Sequence, residues 1–159
     1  MHFLKPGYIF VSSDPVMVKT ILGSCVSLVL YDPVSGLGGI NHYVHPRLSG
    51  DDPRTAMYAG PSIHELFRLF ALHGGVTVRS RLHLYGGARH DSMDGHIGGA
   101  NIEIARREIA KRSLNIYHED VGGRRGRRVF FNLADGSVII EPITPLMRAG
   151  PSPTSRTNG

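Results

Sequence analysis

The chain has 159 residues, of which 41% are hydrophobic and 19% charged, with a net charge of +5. A chain of this length fits one domain and buries roughly 70% of its unfolded surface, so a core forms without disulfide or metal staples. The composition excludes a disordered chain, the absence of a run of about eighteen apolar residues excludes a membrane-spanning helix, and the single cysteine excludes an internal disulfide, a multi-cysteine zinc site and an iron–sulfur cluster.

The first residues, Met1 to Gly7, show no cationic region followed by an apolar run, so no secretory signal is read there. A cytoplasmic protein with a reduced thiol is the expectation. Short strands are expected at residues 8–12, 17–22 and 26–31, the last two flanking Gly23-Ser24-Cys25. Asp32-Pro33-Val34-Ser35-Gly36 has the composition of a turn, and 39–44 is again β-rich, so 26–44 reads as a hairpin. The period changes over 55–72. There Ile63, Leu66, Phe67, Phe70 and Ala71 recur at helical spacing, and Gly74-Gly75 supplies the stop. A strand at 81–85 runs into Gly86-Gly87. A second helix opens near Asn101, with Ile102, Ala105, Ile109 and Ala110 on one face. Residues 114–121 read as a strand, and 129–133 and 137–141 as a hairpin around Ala134-Asp135-Gly136. From Ala149 the chain has nothing to bury, so one domain (1–148) is expected with a disordered tail (149–159). Seven or eight strands and two helices, arranged mostly as hairpins, make an α+β fold with mostly antiparallel β-sheets.

The excess charge is local. Residues 104–128 hold eight basic and three acidic residues, which equals the whole net charge. A basic face suits an acidic protein partner, a nucleic acid or plain solvation. No helix-turn-helix, zinc-finger or aromatic-rich strand motif accompanies it, so no nucleic acid is expected.

Cys25 is the first candidate for chemistry. A free cysteine usually serves as a small buried hydrophobe. This one follows Gly23-Ser24 at a break between two strands, where backbone N–H groups can point at an anion. A nucleophilic thiol needs a neighbouring base. Folding the hairpin about Ser35 puts His42 opposite Cys25, in a register open to a slip of one or two residues. His45 has the wrong parity and points to the other face. His83, His90, Asp91, Asp94 and His96 form a looser group on a glycine-rich stretch. Their spacing matches no defined metal motif, so no metal is assigned.

Several segments together resemble the CheD family of chemoreceptor glutamine deamidases. They are Thr20-Ile21-Leu22-Gly23-Ser24-Cys25-Val26, Leu30-Tyr31-Asp32-Pro33 and Gly38-Gly39-Ile40-Asn41-His42. Leu84-Tyr85-Gly86-Gly87-Ala88, Ile97-Gly98-Gly99-Ala100-Asn101, Asp120-Val121-Gly122-Gly123, Gly126-Arg127-Arg128-Val129 and Asp135-Gly136 continue the likeness. His45-Pro46 and Arg124-Arg125 depart from the family pattern without removing a site position. The resemblance implies β-sheets packed with helices in the manner of toxin deamidases. It implies a triad of Cys25, His42 and Thr20, with a strand bulge able to change the third member. It implies hydrolysis of glutamine side chains on the helical bundle of a chemoreceptor, with no metal or organic cofactor. It also implies a second reading, a regulatory partner of a CheC-type phosphatase with little catalysis.

Overall fold

The computed structural model describes residues 1–89 and 96–144. The expected tail, together with His90, Asp91 and Asp94, lies outside them. Nine strands and two α-helices are present among the described residues: β1 (His2–Phe3), β2 (Ile9–Ser12), β3 (Met17–Leu22), β4 (Val26–Tyr31), β5 (Gly38–Asn41), α1 (Ala59–Leu72), β6 (Arg81–Gly86), α2 (Ile97–Lys111), β7 (His118–Val121), β8 (Arg127–Asn132) and β9 (Ser137–Pro142).

The strands form two sheets, a four-stranded one ordered β1-β3-β8-β9 and a five-stranded one ordered β2-β5-β4-β6-β7. All neighbours are antiparallel except β1 with β3 and β6 with β7. The expected α+β class with mostly antiparallel sheet is therefore observed. No helix of the described residues is long and apolar enough to cross a membrane.

Period-2 alternation explains the layering. On β4, Val26, Leu28 and Leu30 face one way and join a core with Ile63, Leu66 and Phe70 of α1 and with Ala105 and Ile109 of α2. Val29 and Tyr31 face the other way and meet Val18 and Leu22 of β3 and Val129 and Phe131 of β8. β4 is buried on both faces, so it reads as a continuous apolar run. The order of layers is helices, five-stranded sheet, four-stranded sheet.

Several boundaries differ from expectation, α1 starting at Ala59 and β8 at Arg127, and three of them have a specific cause. α2 begins at Ile97, because Gly98 and Gly99 read as breakers and are instead helical. A Cβ at Gly98 would collide with the carbonyl oxygens of Gly87 and Ala88, so glycine there permits close packing of helix on loop. The strand read at 114–121 pairs only from His118 onward. Ser113 adopts φ 57°, which turns the chain out of α2, and Leu114 and Ile116 pack on the helix-side core before the ladder starts. β5 ends at Asn41, for a reason given below.

The turn after β4 is held by one carboxylate. Asp32 is fully buried. It accepts from Arg79 Nε and Nη2 at 2.8 and 2.9 Å, and from the N–H groups of Val34, Ser35 and Val76 at 3.0, 3.4 and 3.1 Å. The Arg79 guanidinium, aided by these backbone donors, holds the Asp32 carboxyl far below the usual carboxylate range. A depressed folded-state value stabilises the fold above the unfolded value of about 4 and loses that contribution as pH falls further. Asp32→Ala should cost about 3 kcal/mol at pH 7, or roughly 6–12 °C in melting temperature. Thermal melts from pH 7 down to pH 3 should show the difference between wild type and variant narrowing.

Candidate functional site

β3 ends in the four-stranded sheet and β4 begins in the five-stranded sheet. Gly23-Ser24-Cys25 is the crossing between them. Glycines surround this crossing. Gly86 adopts φ 110°, and a Cβ there would strike the Cys25 carbonyl oxygen. The Gly87 N–H donates to that oxygen at 2.9 Å, and the Ala88 N–H donates to the Gly23 oxygen at 2.8 Å. Arg127, buried, donates from Nη1 to Gly86 O and from Nη2 to Gly122 O, both at 2.6 Å. The backbone that carries the thiol is thus fixed from several sides.

The β4–β5 register pairs Val29 with Ile40 and Leu30 with Gly39. Val26 and Tyr43 form a bridge in the same register, exchanging hydrogen bonds of 3.1 and 3.0 Å. His42 therefore lies opposite Ser27, not opposite Cys25 as expected. The slip is two residues, so parity is kept. Cys25, Ser27 and His42 share the face turned toward the four-stranded sheet, with Cys25 diagonal to His42. Between these bridges the ladder opens. Asn41 inserts its side chain, accepting from the Leu28 N–H at 2.7 Å and donating to Ser62 Oγ of α1 at 3.0 Å. This insertion ends β5 one residue before His42.

Thr20, fully buried on β3, reaches His42 across the two sheets. Its Oγ1 lies 2.7 Å from His42 Nδ1 and 2.8 Å from the Leu4 carbonyl oxygen. A hydroxyl has one proton, and a carbonyl can only accept. Thr20 donates to Leu4, so its oxygen accepts from His42 and the ring carries its proton on Nδ1. Nε2 is left with a lone pair. That atom is buried and has no hydrogen-bond partner among the described residues, the Cys25 thiol included.

Burial, slightly offset by the Leu4 carbonyl, lowers the His42 pKa to about 4. Burial also raises that of the half-buried Cys25 thiol, against the opposing effect of its own backbone N–H. Both groups are neutral at rest near pH 7. His42 is equipped to act as a base, and a standing thiolate–imidazolium pair is disfavoured. Of the backbone donors near the thiol, the Val26 N–H is spent on Tyr43. The Ser24 and Cys25 N–H groups are committed to no backbone acceptor among the described residues.

Asn101, read from sequence as a helix start and as part of the family likeness but given no role at the site, is fully buried. Its Nδ2 donates to Ser24 O and to Val44 O, both at 2.9 Å. Tyr43 Oη donates to the Asn101 carbonyl oxygen at 2.6 Å. One amide thus ties the loop before Cys25 to the chain just after His42. His45 packs at a tilt on Tyr58, with ring centroids 5.0 Å apart, away from this face. His83 lies on β6, with Nδ1 2.7 Å from Tyr85 Oη. Among the described residues no group of three or more His, Cys, Asp or Glu could hold a metal ion.

Two comparisons bear on this arrangement. The family model described as CheD chemotactic sensory transduction matches residues 45–142, a span that begins after Thr20, Cys25 and His42. The chain is similar to the probable chemoreceptor glutamine deamidase CheD of Methanococcus maripaludis, at 36% identity over 141 residues, covering 86% of this chain and 92% of the relative. It is similar to a probable chemoreceptor glutamine deamidase, CheD 2, of Geobacter sulfurreducens, at 34% over 145 residues, covering 87% and 88%. The corresponding protein of Zymomonas mobilis is 38% identical over 123 residues, covering 76% of this chain and 67% of its own.

The tautomer assignment is directly measurable. Nitrogen-detected NMR of the imidazoles should show His42 as the Nδ1–H form from pH 8 downward, protonating only near pH 4. Thr20→Val removes the acceptor and should move the proton to Nε2. A wild-type ring already protonated on Nε2 would contradict the geometry.

Proposed function

The chain belongs to the CheD family, and we propose that it hydrolyses glutamine side-chain amides of chemoreceptors to glutamate, with Cys25 as nucleophile, His42 as base and Thr20 as the residue that orients His42. One observation carries this reading: a buried imidazole whose Nδ1–H is occupied by Thr20 and whose Nε2 lone pair is unpartnered, on the same sheet face as the only thiol. An unmade buried hydrogen bond costs about 1–3 kcal/mol; His83 Nε2 is unpartnered as well, but His83 faces Val29, four strand positions from Cys25, whereas His42 faces Ser27 beside it.

The steps follow from that geometry. As the substrate amide enters, Cys25 closes on His42, and Nε2 takes the thiol proton as sulfur attacks the carboxamide carbon. The separation in the resting state is compatible with this, because catalytic hydrogen bonds often tighten only around substrate. The Ser24 and Cys25 N–H groups face the developing oxyanion, where one such donor is worth about 3 kcal/mol. The C–N bond breaks, and His42 returns its proton to the departing ammonia. Water then attacks the thioester, giving its proton to Nε2, and the thiol is restored with release of glutamate. The helical bundle of a chemoreceptor as substrate puts the reaction in the cytoplasm. Docking to a CheC-type phosphatase without turnover, the alternative, gives the unpartnered Nε2 no purpose.

Mass spectrometry of receptor cytoplasmic fragments, before and after incubation, tests the reading through the mass gain of amide-to-acid conversion. Cys25→Ala should abolish the conversion without loss of fold, since no other thiol exists. His42→Ala should lower kcat by a factor of about 100 or more, and His45→Ala by far less. Turnover retained in Cys25→Ala would remove the thiol mechanism, and equal losses in the two histidine variants would remove His42 from its role.

Asn101 gives a separate expectation. In Asn101→Leu the Cys25 loop loses its tie to the segment after His42, so kcat should fall about tenfold or more with KM little changed. Steady-state kinetics at matched folded fraction separates this from simple destabilisation.

A further inference from the structure

The structure divides the basic segment in a way the sequence does not show. Along α2 the cations are matched. Arg106 meets Glu119 at 2.9 Å, and Arg107 approaches Glu103 at 4.0 Å. Lys111 and Arg112 meet Glu108 at 3.0 and 2.9 Å. Arg127 is buried near Asp120 at 3.7 Å, and Arg128 faces Glu141 at 3.9 Å. Arg89 and Arg125 are different. Both are exposed, and neither forms an ion pair among the described residues.

Their position is specific. The Arg89 N–H donates to Gly123 O at 2.7 Å, one residue after Ala88 binds Gly23 O at 2.8 Å. The turn that carries Arg125 is held against the same crossing, where a Cβ on Gly126 would stand 3.0 Å from Leu22 O and 3.8 Å from Gly23 Cα. The Gly122 N–H donates to Gly86 O at 2.9 Å, and Gly86 pairs with Val26. Arg89 thus follows a residue bonded directly to the loop of Cys25, and Arg125 stands on a turn packed against the same crossing. No charge effect is needed to explain the thiol itself, whose perturbation comes from burial and its own N–H.

We propose that Arg89 and Arg125 form a docking rim for a carboxylate side chain of the protein substrate, so that a glutamine flanked by acidic residues is selected for entry to Cys25. The inference rests on the deamidase reading above. Charge complementarity names the partner: an acidic segment offers a counter-charge that these two arginines do not find among the described residues, in a fork geometry suited to carboxylate. Such a rim acts on encounter and registration of the substrate, through KM, and is weakened by salt.

The test uses three receptor fragments that differ only beside one target glutamine, carrying Glu, Ala or Lys there. They are assayed with the intact protein and with the double variant Arg89→Glu/Arg125→Glu. At low salt the wild type should prefer the Glu fragment over the Lys fragment by about tenfold in kcat/KM, expressed in KM. The double variant should invert that order. The preference should shrink toward physiological salt, where the screening length is about 8 Å. Equal kcat/KM for the three fragments overturns the proposal. So does a loss of Cys25 alkylation by iodoacetamide that matches the loss of turnover in the variant, since the arginines would then be acting on the thiol. So does displacement of the Glu fragment by a single-stranded RNA of tighter, salt-steep affinity, which assigns the rim to nucleic acid. If no fragment is deamidated, the enzymatic reading fails by itself. Fluorescence anisotropy of the same fragments then decides the rim alone: a salt-dependent preference for Glu sustains it, and no preference overturns it.

Discussion

One hydroxyl proton organises the site. Thr20 spends it on the Leu4 carbonyl, and everything at His42 follows. The oxygen of Thr20 can then only accept, so the imidazole is fixed in one tautomer with its lone pair on the far nitrogen. The arrangement also joins the sheets, because Thr20 belongs to the four-stranded sheet and His42 follows the last strand residue of β5 in the other. Burial of the imidazole and partial burial of the thiol keep both neutral near pH 7.

The glycines near Cys25 serve the same end by a different physical route. A side chain at Gly86 would occupy the space of the Cys25 carbonyl, and one at Gly98 would push α2 off the loop 87–88. Their absence of bulk lets backbone meet backbone. The result is a thiol loop held by main-chain hydrogen bonds and by two long side chains, Arg127 and Asn101, whose donors are aimed at carbonyl oxygens. Rigid support of this kind lets a half-buried thiol keep its place without packing its sulfur on every side.

Much of this was legible in the sequence. The turn at Asp32–Gly36, the stop at Gly74-Gly75 and the hairpin at Asp135-Gly136 announce themselves by composition, and each falls where it was read. Parity correctly put Cys25 and His42 on one face and His45 elsewhere. The register did not follow, because the hairpin length alone leaves a two-residue ambiguity and the Asn41 insertion carries no local pattern. The start of α2 was missed since helix propensity penalises Gly98 and Gly99 while tertiary contact requires the first of them. Asn101 was missed for a related reason: its partners, Ser24 and Val44, are 77 and 57 residues away, and no short-range rule sees them.

The crossing from β3 to β4 has a mechanical side. The orienting hydroxyl rides on one sheet, and the imidazole and the first residues after the thiol ride on the other. Relative sliding of the two sheets therefore bears directly on the Thr20–His42 bond and on the orientation of the ring. Both helices pack on the five-stranded sheet, which leaves residues such as Ile21 and Ile139 exposed on the outer surface of the other. Pressure applied to that surface acts on a lever whose short arm is the Thr20–His42 bond. The orientation of the imidazole is thereby coupled to shear between the sheets, at a distance from the thiol.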